Sequence, residues 1–97
     1  MTVSHPILAE LRAEIDAVDA QLVALLQKRF EIADRVIALK AREGIAAALL
    51  DRIEQVVQNV LHLAADSNVP PKAIEMLWRT LIAETIAYEE KALRKKT

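Results

Sequence analysis

Apolar residues along the first forty positions recur at alternating steps of three and four. Leu8, Leu11, Ile15, Val18, Leu22 and Leu25 are followed, after a break in the series at Arg29, by Ile32, Val36 and Leu39. This spacing is that of one face of a helix with a coiled-coil-like seam, sustained for more than four heptads. A second segment carries Leu49, Leu50, Ile53, Val56, Val57, Val60 and Leu61 on a broad apolar face. A third carries Ile74, Leu77, Trp78, Leu81 and Ile82, then Thr85, Glu89 and Ala92 along the continuing stripe.

Breaks between these segments are few. Ser4-His5-Pro6 supplies a cap and an early helical proline, and nothing interrupts the chain until Gly44. Asp66-Ser67-Asn68-Val69-Pro70-Pro71 is the other strong turn cluster. The pattern predicts three helices, over Pro6–Arg42, Ala47–Ala65 and Pro71–Lys95, and an all-α fold with a long first helix. At 1.5 Å per residue that first helix is about 55 Å long, whereas a compact domain of this size is only about 32 Å across. Two shorter helices cannot cover the seam along its full length. A single three-helix hairpin with protruding ends would leave apolar surface in water, so a homodimer with paired first helices is expected.

Composition narrows the class. Ninety-seven residues allow one domain, 1–97, and a single glycine among them argues against a turn-rich β fold. The absence of cysteine removes disulfide scaffolds and thiolate zinc sites and is compatible with a reducing compartment. Thirteen basic and fourteen acidic residues give a net charge of −1, with no broad nucleic-acid or membrane footprint. The opening residues lack a signal-peptide pattern, and no apolar run approaches the ~20 residues needed to span a bilayer. The expectation is a cytoplasmic protein. Lys91, Arg94, Lys95 and Lys96 complement the dipole of the last helix and read most simply as a solvated helix end.

Three charges fall on or beside the apolar stripes. Arg29 occupies a seam position, and a buried guanidinium without a partner is unfavourable, so the site must provide an anion from the protein or from a ligand. It could equally snorkel from the seam's edge, or pair with Glu31 or Glu89 as a register-setting ion pair. Lys40 lies eleven residues on, about 20° around the helix and about 16.5 Å along it, on the side of Arg29, with Ala33 and Ala41 nearby. Glu89 sits one turn past Thr85 on the third helix's stripe. Arg12 is about 25 Å before Arg29 along the helix and cannot reach the same pocket from the same chain. From an antiparallel partner it can. His5 and His62 have no i,i+4 partner, so no metal site is expected. Ser4 and Ser67 lie at helix breaks, which gives a catalytic triad little support, and one glycine cannot build a phosphate loop.

Leu11-Arg12-Ala13-Glu14-Ile15-Asp16-Ala17-Val18-Asp19, then Leu25-Leu26-Gln27-Lys28-Arg29, then Lys40, resembles the first helix of the all-helical (type II) chorismate mutases, a family that includes the isochorismate pyruvate lyases. The similarity continues at Asp51-Arg52 and at Thr85 and Glu89. The resemblance implies an intertwined helical homodimer with two sites, each completed by the other subunit's Arg12, and cofactor-free Claisen rearrangement of chorismate to prephenate in aromatic amino acid biosynthesis. By the same resemblance, Arg29 and the second copy's Arg12 clamp the carboxylates of a small dicarboxylate substrate and Arg52 adds positive charge. Thr85 lines the site, and Lys40 donates to the ether oxygen. Such catalysis holds the compact conformer and places fixed positive charge at the transition state.

Two positions depart from the mutase pattern. The residue after the second-helix Arg is usually Glu and here is Ile53, a feature resembling the lyases, which release pyruvate and salicylate. The third-helix position usually holding Gln is here Glu89. An ionised carboxylate cannot donate to the ether oxygen, whereas a protonated one can. If Glu89 donates, activity should favour mildly acidic pH; if Lys40 or Arg29 holds it ionised, a weaker enzyme results. The resemblance implies a chorismate mutase first. The alternatives are isochorismate pyruvate lyase, a mutase of an amino-substituted chorismate whose ammonium pairs with Glu89, and a non-enzymatic helical dimerisation module.

Overall fold

The computed structural model describes residues 5–95. It contains α1 (Pro6–Glu43), α2 (Leu50–Leu63) and α3 (Pro71–Lys95), with no strand among the described residues. The fold is all-helical with a long first helix, as the periodicity predicts. The proposed capping residue Ser4 and the basic residue Lys96 lie outside the described residues. The chain divides after Ile32 into two compact units.

The first unit is the leading part of α1. Pro6 opens the helix where a missing N–H does no harm, and the Ala9 amide donates to the His5 carbonyl at 3.0 Å. Its apolar stripe stands in solvent: Leu11 is 51% exposed, Ile15 60%, Val18 52% and Leu22 52%. In this unit only Arg29 and Phe30 are even half-buried among the described residues.

The second unit comprises the last part of α1 with α2 and α3. Val57 is wholly buried, and Ala33, Ile37, Ile82 and Glu89 are also buried. Ile53, Val56, Val60, Leu61, Ile74, Trp78, Leu81, Ile86 and Leu93 pack around them half-buried, so the two predicted stripes do converge. They are narrower than their sequence patterns: Leu49, Leu50 and Leu77 are exposed.

The ends of α1 and α2 are set by backbone hydrogen bonding. Gly44 has φ +69°, and the Ile45 amide donates to the Lys40 carbonyl at 2.9 Å. This is the reverse turn in which a left-handed residue lets the chain fold back on the last helical carbonyls, a conformation glycine adopts without penalty. The second helix begins at Leu50 rather than at the expected Ala47. The Ala47 carbonyl, which a helix would need internally, instead accepts from Lys40 Nζ at 2.8 Å. Leu49 supplies the N-cap with no side-chain hydrogen bond, and Asp51 lies in the first turn, where its charge suits the helix dipole. The helix closes at Leu63, two residues short of expectation. The Ala65 amide takes the His62 carbonyl at 3.2 Å, and the Ser67 hydroxyl donates to the Ala64 carbonyl at 2.7 Å. Ser67 Oγ in turn accepts from the Val69 amide at 3.2 Å. Pro71 then starts α3, with the Pro70 carbonyl accepting from Ala73 and Ile74.

Candidate active site

The second unit gathers part of the expected site. Lys40, in the last turn of α1, is half-buried, and its ammonium donates to Glu89 Oε1 at 2.9 Å. Side-chain exposures of 12% and 9% make this a largely desolvated ion pair. Buried pairs persist only where geometry is good and the remaining polar atoms are satisfied. Both conditions hold, since the Ala47 carbonyl takes a second ammonium proton and no buried side-chain polar atom lacks a hydrogen-bond partner among the described residues. Of the two cations that sequence offers to Glu89, Lys40 is the one that meets it at Oε1.

Thr85 is half-buried one turn before Glu89 on α3, and its hydroxyl donates to the Leu81 carbonyl at 2.7 Å. Arg52 lies on the exposed side of α2, where its guanidinium donates to Gln55 Oε1 at 2.6 Å. Ile53, beside it, turns inward and is half-buried. Arg12 and Arg29 belong to the first unit, Arg12 exposed and Arg29 half-buried. Within the first unit, the Gln27 amide donates to Glu31 Oε1 at 3.2 Å.

Two polar clasps fasten α3 and are invisible in the sequence pattern. The Tyr88 hydroxyl donates to Asp34 Oδ1. Losing that proton would set a phenolate against a carboxylate, so hydrogen bonding to Asp34 raises the Tyr88 hydroxyl above its ordinary range, with burial adding to the effect. Arg79 grips Glu54 through two bonds, Nη1 to Oε2 at 2.8 Å and Nη2 to Oε1 at 3.1 Å, while its Nε reaches Glu75 Oε2 at 2.9 Å. Hydrogen bonding to Arg79 pulls the Glu54 carboxyl below the usual carboxylate range, and the same bonds raise Arg79 further. Tyr88 and Asp34 are 54 residues apart and Arg79 and Glu54 are 25 apart, separations that no local periodicity links, whereas Glu75 and Arg79 are an i,i+4 pair within α3. Among the described residues no cluster of three or more His, Asp or Glu side chains could hold a metal ion. No helix is long and apolar enough to cross a membrane.

The family model for chorismate mutase type II matches residues 11–90, a span that takes in Arg12, Arg29, Lys40, Arg52, Thr85 and Glu89. Among curated proteins, the chain is 34% identical over 80 residues to a 4-amino-4-deoxychorismate mutase of Streptomyces pristinaespiralis, covering 82% of this chain and 62% of that protein. It is 26% identical over 90 residues to a 4-amino-4-deoxychorismate mutase of Streptomyces venezuelae, covering 93% and 87%. It is also 26% identical over 87 residues to the bifunctional chorismate mutase/prephenate dehydratase of Aquifex aeolicus, covering 87% of this chain but 24% of that protein. The chain thus spans less than two thirds of the Streptomyces pristinaespiralis protein and about a quarter of the bifunctional one. With 80 consecutive residues matched by its model, the chain belongs to the chorismate mutase type II family.

Proposed function

We propose that the chain is an isomerase, a chorismate mutase that converts chorismate to prephenate without a cofactor, and that it works as one domain over 1–97 in a homodimer. The observation that carries the proposal is the desolvated Lys40 ammonium, fixed on Glu89 within a chain of this family. The reaction is intramolecular: the ether C–O bond breaks as a C–C bond forms, and no atom is gained or lost. Negative charge grows on the ether oxygen at the transition state. A cation already desolvated and fixed before substrate arrives stabilises that charge without reorganising.

Lys40 is accordingly assigned to the ether oxygen, with Glu89 as the group that orients it. Arg29, Arg52 and Arg12 of a second copy serve the two carboxylates, and Thr85 lines the same site. Arg12 enters from the second copy in this reading because the exposed stripe through Leu11, Ile15, Val18 and Leu22 needs cover that one helix cannot give itself. An intertwined homodimer supplies that cover and completes each site. Location in the cytoplasm fits the absence of cysteine.

A second reading, a mutase of an amino-substituted chorismate, is favoured by Glu89 and Ile53 together. A carboxylate has acceptor capacity beyond its bond to Lys40 and would pair with an ammonium where an amide would not. Ile53 leaves the position after Arg52 without a partner for a ring hydroxyl. Two Streptomyces relatives bear the name of that activity. The test is incubation of purified protein separately with chorismate, 4-amino-4-deoxychorismate and isochorismate, with product identification. Prephenate as the favoured product supports the main reading, and faster turnover of the amino compound supports the second. Salicylate with pyruvate identifies a lyase, and inertness toward all three leaves a dimerisation module.

A further inference from the structure

We infer that the connection between α1 and α2, residues 44–49, is a positioning device for Lys40, with Gly44 as the residue on which it depends. The inference rests on the reading of Lys40 as the group that meets the substrate. Lys40 is held by this connection at both ends of the residue. Its backbone carbonyl accepts from the Ile45 amide at 2.9 Å, and its ammonium donates to the Ala47 carbonyl at 2.8 Å. Glu89 on α3 takes a second ammonium proton at 2.9 Å.

An ammonium has three protons in tetrahedral arrangement. Two acceptors from different elements therefore fix the direction of the third, which is the one left for a ligand atom. A lysine side chain is otherwise among the most mobile in a protein. Glu89 alone would leave the ammonium free to turn about one contact; the Ala47 carbonyl removes that rotation. Ala47 reaches Lys40 because the chain reverses within the three residues before it. That reversal runs through Gly44 at φ +69°, a region closed to most L side chains. A Cβ at Gly44 would meet nothing within 4 Å. Replacement by alanine thus disturbs the backbone angle alone and collides with no neighbour.

Two variants separate positioning from helix capping. Gly44→Ala opposes the reversal itself. Insertion of one glycine between Ile45 and Ala46 retains Gly44 and the cap but carries the Ala47 carbonyl off the ammonium, at little expense to a flexible connection. Lysine-labelled NMR follows exchange of the Lys40 ammonium protons, and chorismate kinetics follow kcat and KM. In both variants exchange should accelerate and kcat should fall about tenfold, in line with the penalty for small misplacements of a reacting group. KM should stay within about twofold, and far-UV circular dichroism should remain helical. Gly44→Asn, which tolerates positive φ, should restore both readouts. If the glycine insertion leaves ammonium exchange and kcat at the parent's values, the connection only caps α1 and the inference is overturned. Should Gly44→Ala fail to fold, the insertion variant decides alone. Should the parent turn over no chorismate, the functional reading fails while ammonium exchange still decides whether the connection holds Lys40.

Discussion

Lys40 and Glu89, 49 residues apart in the chain, share a hydrogen-bonded ion pair of 2.9 Å that is more than four-fifths removed from solvent. Removing one member of such a pair leaves the other charge desolvated without compensation, which typically costs about 3–5 kcal/mol. Lys40→Met is therefore expected to destabilise the protein by about that much, whereas Lys40→Met combined with Glu89→Leu should recover most of the loss. Denaturant unfolding of the parent, Lys40→Met, Glu89→Leu and the double variant measures the cycle. All variants lacking Lys40 should be inactive, which separates the structural contribution of the pair from its catalytic one.

Glu89→Gln keeps an oxygen for Lys40 to bond, removes a negative charge from the site and adds an N–H donor. The variant should exceed the parent in kcat with chorismate, because the added N–H can donate to the ether oxygen beside Lys40. A kcat at or below the parent's would show that the Glu89 carboxylate serves only to hold Lys40.

The exposed stripe of α1 predicts assembly of two copies, and the assignment of Arg12 to the second copy predicts complementation. Arg12→Ala and Lys40→Ala should each be inactive as homodimers. Unfolded together and refolded as a mixture, they should yield heterodimers with one intact site of two, hence about a quarter of the parent's activity in a statistical mixture. Recovery of nothing, with heterodimers demonstrated by sedimentation and mass spectrometry, would show that Arg12 does not complete the second copy's site.

Tyr88 is the only tyrosine, so its ionisation can be followed directly by tyrosinate absorbance. Donation to Asp34 should set the midpoint above the ordinary phenol value of about 10. Asp34→Ala should bring it back toward that value. Because the neutral hydroxyl is the bonded form, its stabilising effect is present below the unfolded value and disappears as pH rises through the raised one. Tyr88→Phe should therefore differ from the parent in melting temperature at neutral pH and converge with it in strong alkali.

The Glu54 carboxyl, held low by Arg79, has the opposite sign. Its contribution is present above the usual carboxylate range and is lost as pH falls through the depressed value. Arg79→Ala should lower the melting temperature slightly at neutral pH, with the difference vanishing in acid. High salt should also reduce it, because the pair is open to solvent.

The helices were legible because their information is local. The three-four spacing from Leu8 to Leu39 and the few breaks at Gly44 and Asp66-Ser67-Asn68-Val69-Pro70-Pro71 are properties of neighbouring residues, and they set the all-helical class and the extent of α1 to within a residue. The pattern places the start of α2 three residues too early, since Ala46, Ala47 and Ala48 are good helix formers. What takes Ala47 out of the helix is the ammonium of Lys40 seven positions earlier, an interaction no propensity encodes.

Phase alone marked Lys40 and Glu89 as charges on or beside apolar stripes, and so as groups that must find each other or a ligand. Which of the two it would be depended on how the last turns of α1 approach α3. That approach is set by packing around Val57, Ile37 and Ile82 and by contacts such as Asp34 with Tyr88, made between residues far apart in the chain. The elements and the misplaced charges are written in the chain itself, because helix periodicity lies in adjacent turns. The bonds of Lys40 to Glu89 and to the Ala47 carbonyl are not, because they form only after separate elements have been brought within 3 Å of one another.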